Sequence, residues 1–197
     1  INDGSNDDTL NKLQKIKKKN VYIINNKKNL GKSNSIINSI KKIRTKNVIL
    51  IDCDLPYFDN LKQVINNLKK NDLVLVNRKI KGSKNVEKNQ SFYQISRHII
   101  SNYFGYLMEK KLNLNVNGDS QAGLKGFKLK DYVKKRKFIS KYYFFDIELI
   151  KLFRIKNAKI KIVPVKYKIS KNSNIKFFSF KNFLYIFEFF NILHRYS

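Results

Sequence analysis

The chain of 197 residues has a single cysteine, Cys53, and lacks long apolar runs. One cysteine excludes a disulfide framework and a zinc site built from cysteines. In the Phe-rich C-terminal part, the longest uninterrupted apolar run is Phe183 to Phe187. A helix that crosses a bilayer needs about 20 mostly apolar residues. We therefore expect no membrane-spanning helix within this sequence.

Acidic residues are scarce, with 14 Asp and Glu against 42 Lys and Arg and a formal net charge of +28. A surface this basic attracts RNA, DNA or anionic lipid. A nucleic-acid-binding domain, however, is expected to cluster its basic residues on one face with exposed aromatics, whereas here lysine is spread over nearly the whole chain. We expect no specific nucleic acid partner, and keep a basic nucleic-acid-binding domain as the alternative from another class.

The few acids are unevenly distributed. Eight of the fourteen fall in short clusters, namely Asp3, Asp7 and Asp8; Asp52 and Asp54; Asp119; Asp146 and Glu148. Closely placed carboxylates in so basic a chain are typical of a site that holds a cation.

Strand-like and helical patterns alternate along the first 80 residues. The apolar runs "VYII" (21–24), "VILI" (48–51) and "LVLV" (73–76) predict buried strands, and helices are predicted over 32–44 and 59–69. This alternation with short loops predicts an α/β fold with a mostly parallel, Rossmann-like sheet covered by helices on both faces.

The second half is less regular. A long helix is predicted over about 91–111, another in "FFDIELIKLFRIK", and a strand in "AKIKIVPVKYKI". The aromatic segment 171–197 predicts an amphipathic helix, and two locations for it stay open. It packs on the core, or it lies at a membrane interface, since aromatics flanked by Lys176, Lys181 and Arg195 suit a headgroup boundary.

The stretch "KKNLGKSNSII" raises the alternative of a P-loop, because Gly-Lys-Ser follows an apolar run and precedes a helix. The complete motif Gly-x-x-x-x-Gly-Lys-Ser/Thr needs a glycine where this chain has Asn26. The later "VILID" resembles a Walker-B strand, but Walker B does not require the second carboxylate of "DCD". The P-loop is therefore the less favoured interpretation.

In "VILIDCDLPYF", an apolar strand leads directly to Asp52 and Asp54. Ligands bind at the carboxyl edge of open α/β sheets, and side chains two apart on an extended segment point to the same side. A turn beginning at Pro56 would let the two carboxylates converge on a hard divalent ion. Such an ion can neutralise a departing diphosphate. The alternative is that the pair caps the next helix.

Taken together, these motifs resemble family 2 glycosyltransferases of the GT-A fold, and among them the polyprenyl-phosphate (dolichyl-phosphate) mannosyl- and glucosyltransferases. The resemblance runs in order through "INDGSNDDT", "NLGKSNSI", "DCD", "VNRKIKGS", "SRHIISNYFGYL", "GDSQAGLKGFK", "FFDIELI" and "IVPVKY". It implies a catalytic domain over 1–170, in which the family's first strand and helix are expected to be missing, followed by the amphipathic segment 171–197.

The resemblance implies a UDP- or GDP-linked sugar as donor, with Mg²⁺ or Mn²⁺ on its diphosphate. Asp52 and Asp54 would hold the metal and count as catalytic, together with Asp119 and Gln121 of the block on the sugar and acceptor side. The implied nucleotide-sugar-binding residues are Asp3 at the base or ribose, Ser5, Gly31, Lys32, Asp52 and Cys53.

The implied acceptor is a polyprenyl or dolichyl phosphate, with a saccharide or protein as the alternative. A lipid phosphate is already an anionic nucleophile, so cations must hold it rather than a strong base activate it. The resemblance assigns this contact to Arg78, Arg97, Ser101 and Lys125, with Asp146 and Glu148 in support or at the dipole of their helix. It also implies a location on the cytoplasmic side of a membrane, or in the cytoplasm if the protein is soluble.

Overall fold

The computed structural model describes residues 1–55, 57–85, 103, 105–167 and 180–196. Its helices are α1 (Thr9–Gln14), α2 (Lys32–Lys42), α3 (Leu61–Leu68), α4 (105–112), α5 (Asp131–Lys134), α6 (Phe145–Ile155) and α7 (Phe180–Tyr196). A 3-10 turn over Phe58–Asn60 precedes α3. The strands are β1 (Asn47–Ile51), β2 (Leu73–Asn77), β3 (Lys84–Asn85), β4 (Leu124–Lys128), β5 (Ile160–Pro164) and β6 (Lys166–Tyr167).

The main sheet has four described strands in the order β1-β4-β2-β5. β2 and β5 are parallel, while β4 runs antiparallel to both of its neighbours. Three strands therefore share one direction and β4 is reversed. β3 and β6 form a separate parallel ribbon. The predicted α/β fold is confirmed, with a mixed rather than wholly parallel sheet.

Both faces of the sheet are covered, as the apolar sequence of β2 requires. Leu73 and Leu75 point into one core cluster, while Val74 and Val76 point into the other, because side chains alternate along a strand. The first cluster is formed with α2, α4, α6 and α7. The second is formed with α3. A Cβ on Gly126 of β4 would lie 2.9 Å from Val64 Cγ1, so this glycine allows α3 to pack closely on the sheet.

Local patterns predicted several elements correctly. The expected strands at 48–51 and 73–76 correspond to β1 and β2, and the expected helices at 32–44 and 59–69 correspond to α2 and α3. The later helix and strand correspond to α6 and to β5 with β6. Of the long helix predicted over 91–111, only the end falls among the described residues, where 105–112 is helical.

The prediction of a buried strand over 21–24 is wrong. Val21 and Tyr22 are exposed, and the neighbouring Asn25 forms one isolated bridge with Asn2. Apart from this bridge, the described residues provide no strand beside the segment, so its apolar side chains are not covered by a ladder. The sequence patterns did not predict β4, because "LKGFK" lacks the apolar run that identified the other strands.

The C-terminal helix α7 contributes to the core. Phe189 and Ile192 are buried in the cluster that α2 and α6 share. On the other side Phe187 and Phe190 are exposed. No helix in the described ranges combines the length and the hydropathy needed to cross a membrane.

Candidate active site

Polar residues from three neighbouring strands meet at one edge of the sheet. Asp52 follows β1 and Arg78 follows β2, while residues 119–123 precede β4. Because β4 is reversed, its N-terminal end lies beside the carboxyl ends of β1 and β2. The N–H of Asp52 donates to the carbonyl of Gly123 at 2.8 Å. The topology therefore brings together three motifs that lie far apart in the sequence.

Lys32, the first residue of α2, pairs with Asp52 at this edge. Its Nζ lies 2.7 Å from Asp52 Oδ1, and the two side chains are 38% and 35% exposed. Burial acts to lower the pKa of Lys32, but the carboxylates of Asp146 and Asp52 outweigh it and raise that pKa. Lys32 is therefore a fixed positive charge between two acids, accessible to an anionic ligand.

Arg78 is held in place by Asp119. The Nε and backbone N–H of Arg78 donate to Asp119 Oδ2 at 3.0 and 2.7 Å, and its Nη2 donates to Oδ1. The Asp119 side chain is 1% exposed and that of Arg78 is 37% exposed. Burial acts to raise the pKa of Asp119, but the hydrogen bonds and charge of Arg78 lower it overall. Both carboxylate oxygens of Asp119 are thus engaged in orienting a partly exposed guanidinium.

Lys125 and Asp146 form a buried pair behind the edge. Lys125 Nζ lies 2.6 Å from Asp146 Oδ1, and both side chains are almost fully buried. The contact lacks hydrogen-bond geometry, and Asp146 Oδ1 has no other hydrogen-bond partner. Lys125 was predicted to contact an acceptor phosphate. The structure directs its side chain from the middle of the sheet onto the first turn of α6, and the contact with the acceptor stays a prediction.

Two tyrosines that were not predicted as site residues lie between the Lys32–Asp52 and Arg78–Asp119 pairs. Tyr57 is buried and interacts electrostatically with Arg78 and Asp52. Tyr143 interacts electrostatically with both Lys32 and Arg78. Burial raises the pKa of each phenol. Their positions beside "DCD" and "FFDIE" were the available signal, but aromatic residues next to a motif are equally typical of core.

Asp3 holds the turn that leads into α2. Asp3 Oδ1 accepts from the N–H of Leu30 at 2.9 Å, and Oδ2 accepts from the N–H of Gly31 at 3.0 Å. Burial acts to raise the pKa of Asp3, but hydrogen bonds led by that from Ser35 lower it overall. Ser5, the other predicted residue of this motif, donates its hydroxyl to Asn2 at 2.6 Å.

Gly31 has a φ of +88°, and a Cβ there would lie 2.8 Å from the carbonyl oxygen of Lys141. Few L-residues adopt this backbone conformation, and the neighbouring loop leaves no room for a side chain. Glycine at this position allows the start of α2 to lie directly against the loop at 141–143.

A turn follows β1 directly, since the N–H of Leu55 donates to the carbonyl of Asp52 at 3.0 Å. Pro56, where the turn was predicted to begin, lies outside the described residues. Cys53 and Asp54 are exposed on this turn. Within the described ranges, no three His, Cys, Asp or Glu side chains come close enough to hold a metal ion.

The remaining predicted residues occupy different places. Gln121 Nε2 lies 3.5 Å from the carbonyl oxygen of Tyr143 and so contacts the same loop as Gly31. Glu148 is buried and accepts from the N–H groups of Ile139 and Ser140 at 2.9 and 2.6 Å. Arg97 and Ser101 lie outside the residues that the structure describes.

The fold gathers this polar edge at the carboxyl ends of β1 and β2, the place where open α/β sheets bind their ligands. The model of the family "Glycosyl transferase family 2" matches residues 1–144. The chain therefore belongs to glycosyl transferase family 2, and its architecture is consistent with the GT-A fold. No curated protein matches the chain. Membership implies a nucleotide-sugar donor and an acceptor.

Proposed function

We propose that this glycosyltransferase moves a sugar from a UDP- or GDP-linked donor to a polyprenyl phosphate, with Mg²⁺ or Mn²⁺ on the donor diphosphate. The observation that carries the proposal is the Arg78–Asp119 pair. Asp119 engages Nε and Nη2 of a guanidinium that remains 37% exposed. The other N–H donors of Arg78 are free of Asp119 and suit a phosphate, whose oxygens match the guanidinium fork.

The state of Asp119 favours a phosphate acceptor over a hydroxyl acceptor. A hydroxyl nucleophile needs a general base within hydrogen-bond reach. Asp119 is buried and both of its oxygens accept from Arg78, so it could serve as a base only if that pair opened. A lipid phosphate is already ionised and requires only positioning. A saccharide or protein acceptor is therefore the second candidate.

The donor side would be formed by the start of α2 and the turn after β1. Lys32 supplies a positive charge that Asp52 and Asp146 hold in place, and Gly31 lets the backbone approach the nucleotide closely. Asp54 is exposed. Mg²⁺ needs only one or two carboxylates when substrate phosphates complete its shell, so Asp54, with the free oxygen of Asp52, fits a cation that arrives with the diphosphate. When bound, such an ion would stabilise charge on the departing nucleotide.

Helix α7 supports an interfacial location for the enzyme. Its core-facing side anchors it, while the opposite side exposes four large apolar residues, namely Leu184, Ile186, Phe187 and Phe190. An amphipathic surface on a protein with net charge +28 suits an anionic membrane. We propose that the protein works at the cytoplasmic side of a membrane, where it would meet a lipid phosphate.

The test is transfer of radiolabelled sugar from UDP- and GDP-sugars to polyprenyl phosphate in detergent with Mn²⁺. We expect product with one donor class and a loss of at least about 100-fold in kcat/KM on Asp52→Asn plus Asp54→Asn, since metal and Lys32 contacts are both removed. The matched control is Asp131→Asn, a highly exposed acid on α5, which should retain full activity.

Two results would contradict the proposal. Transfer to an oligosaccharide or peptide but not to the lipid phosphate would replace the acceptor by the second candidate. Salt-sensitive RNA binding that survives the double Asp variant, without any sugar transfer, would instead support the nucleic-acid-binding alternative.

A further inference from the structure

Glu188 of α7 accepts hydrogen bonds from three consecutive backbone amides on a loop of the candidate site. Its Oε1 accepts from the N–H groups of Lys141 and Tyr142, the latter at 3.1 Å, and its Oε2 accepts from the N–H of Tyr143 at 3.2 Å. Glu188 is buried. A carboxylate that accepts several N–H groups makes strong, charge-assisted hydrogen bonds, so this residue fixes the loop at 141–143.

The opposite side of the same loop holds the start of α2. The carbonyl of Lys141 accepts from the N–H of Asn34 at 3.0 Å, and the carbonyl of Tyr142 accepts from the N–H of Ser33 at 3.2 Å. Ser33 Oγ in turn accepts from the N–H of Phe145 at 3.1 Å. Since Gly31 packs against this loop as well, the loop determines where α2 begins and hence where Lys32 stands.

The loop also carries Tyr143 into the polar cluster. Its carbonyl contacts Gln121, and its ring interacts electrostatically with Lys32 and Arg78. Tyr185, one turn before Glu188 on α7, packs against both Tyr142 and Tyr143, with its ring centroid 6.1 and 5.9 Å from theirs. Helix α7 therefore reaches the donor side through one short loop.

We propose that Glu188 is a positioning residue for donor binding, and that α7 is thereby a structural part of the active site although it lies beyond the family match at 1–144. This inference depends on the proposed function. Glu188 touches no reacting group; it acts by holding the loop that seats Gly31 and Lys32 beneath a nucleotide diphosphate.

Glu109 provides a matched control. It also accepts from three consecutive amides, those of Val116, Asn117 and Gly118, at 2.6, 3.0 and 3.1 Å. Its loop leads to Asp119 and makes no described contact with α2. In each Gln variant one acceptor oxygen remains, so each loses part of its hydrogen bonding to three backbone N–H groups. Glu188 is buried and Glu109 is half-buried, so the melting temperature of both variants is measured, and only Glu188→Gln disturbs the donor side.

The experiment is isothermal titration calorimetry of the whole chain with UDP and with GDP in the presence of Mn²⁺, which measures the Kd of each nucleotide. Thermal melting of each variant accompanies it. We expect Glu188→Gln to raise the Kd of the nucleotide about tenfold, whereas Glu109→Gln leaves that Kd within about twofold. Both are measured well below the melting temperature of the less stable variant. Phe187→Ser, an exposed position on the same helix, should bind nucleotide as the wild type does.

Equal nucleotide affinity in Glu188→Gln and the wild type, or equal weakening in both Gln variants, would overturn the inference. If Glu188→Gln does not fold, hydrogen exchange of the wild type decides: slow exchange at 141–143 that slows further with nucleotide supports the inference, and fast exchange overturns it. A wild type that binds neither nucleotide would instead overturn the proposed function, and the inference with it.

Discussion

Three glutamates each accept hydrogen bonds from consecutive backbone N–H groups of a loop, namely Glu109, Glu148 and Glu188. Three aspartates at the site instead form ion pairs, namely Asp52 with Lys32, Asp119 with Arg78, and Asp146 with Lys125. The sequence suggested that clustered acids would gather around a metal. The structure uses most of them to fix loops and basic side chains, and leaves Asp54 exposed on its turn.

The buried Lys125–Asp146 pair gives a prediction at the residue scale. Lys125→Met leaves the Asp146 carboxylate buried without its cation, so we expect the free energy of unfolding to fall by about 3 kcal/mol. Chemical denaturation at pH 7 measures this change. Adding Asp146→Asn removes the uncompensated charge and should recover part of the loss. A double variant as unstable as Lys125→Met would show that the pair is not coupled.

At the scale of elements, Asp72 ties together three strands at the edge opposite the site. It stands just before β2, its Oδ2 accepts from the N–H of Lys159 at 3.1 Å, and its Oδ1 lies 3.4 Å from Nζ of Lys128. Its carbonyl also accepts from the N–H of Lys128. These bonds fix the relative register of β2, β4 and β5. They therefore also fix the positions of the strand ends that carry the site residues.

Asp72 therefore gives the stability a defined pH dependence. Burial acts to raise the pKa of Asp72, but the amide of Lys159 and the charge of Lys128 lower it below the ordinary value of 3.8. A lowered folded-state pKa stabilises the fold above the unfolded value, and this contribution is lost as pH falls through the folded value. We expect Asp72→Asn to cost about 1 kcal/mol at pH 7.

Urea denaturation of wild type and Asp72→Asn between pH 7 and pH 2 tests this dependence. The difference between the two proteins should be constant down to about pH 5 and shrink at lower pH. A difference that stays constant throughout would mean that the side chain acts through geometry rather than charge.

The elements show which features the sequence could predict. Local apolar patterns predict five of the elements, because each buries a face that its own residues define; these are β1, β2, α2, α3 and α6. β4 does not, since "LKGFK" becomes a buried strand only between β1 and β2. The burial of Lys125 follows from that strand, and the role of Glu188 depends on a loop 45 to 47 residues away in sequence. Contacts of this kind leave no periodic signal.

At the scale of the whole molecule, a basic surface and the exposed side of α7 act together. Phe187 is 69% exposed and Phe190 is 60% exposed, and a net charge of +28 attracts anionic lipid. We expect the protein to sediment with vesicles that contain anionic lipid, and Phe187→Ser plus Phe190→Ser to weaken that binding about tenfold or more, since two large apolar side chains no longer enter the interface.

Tyr22→Ser is the control for this surface, because Tyr22 is an aromatic outside α7 that is even more exposed than Phe187 and Phe190. It should sediment as the wild type does. If the α7 variant also sediments unchanged, charge alone accounts for binding and α7 is not the membrane-facing surface.

The Arg78–Asp119 contact has a consequence for how such a chain can diversify. Asn77 and Lys79 also donate to the carbonyls of Val116 and Gly118, so the segment after β2 is joined to the segment before β4 at three successive residues. Met108 and Leu112 of α4 are buried in the core, and this packing also holds the segment that leads to Asp119. Substitutions at exposed positions around the edge can therefore accumulate without moving the guanidinium, so recognition of new acceptors can evolve on a constant chemical foundation.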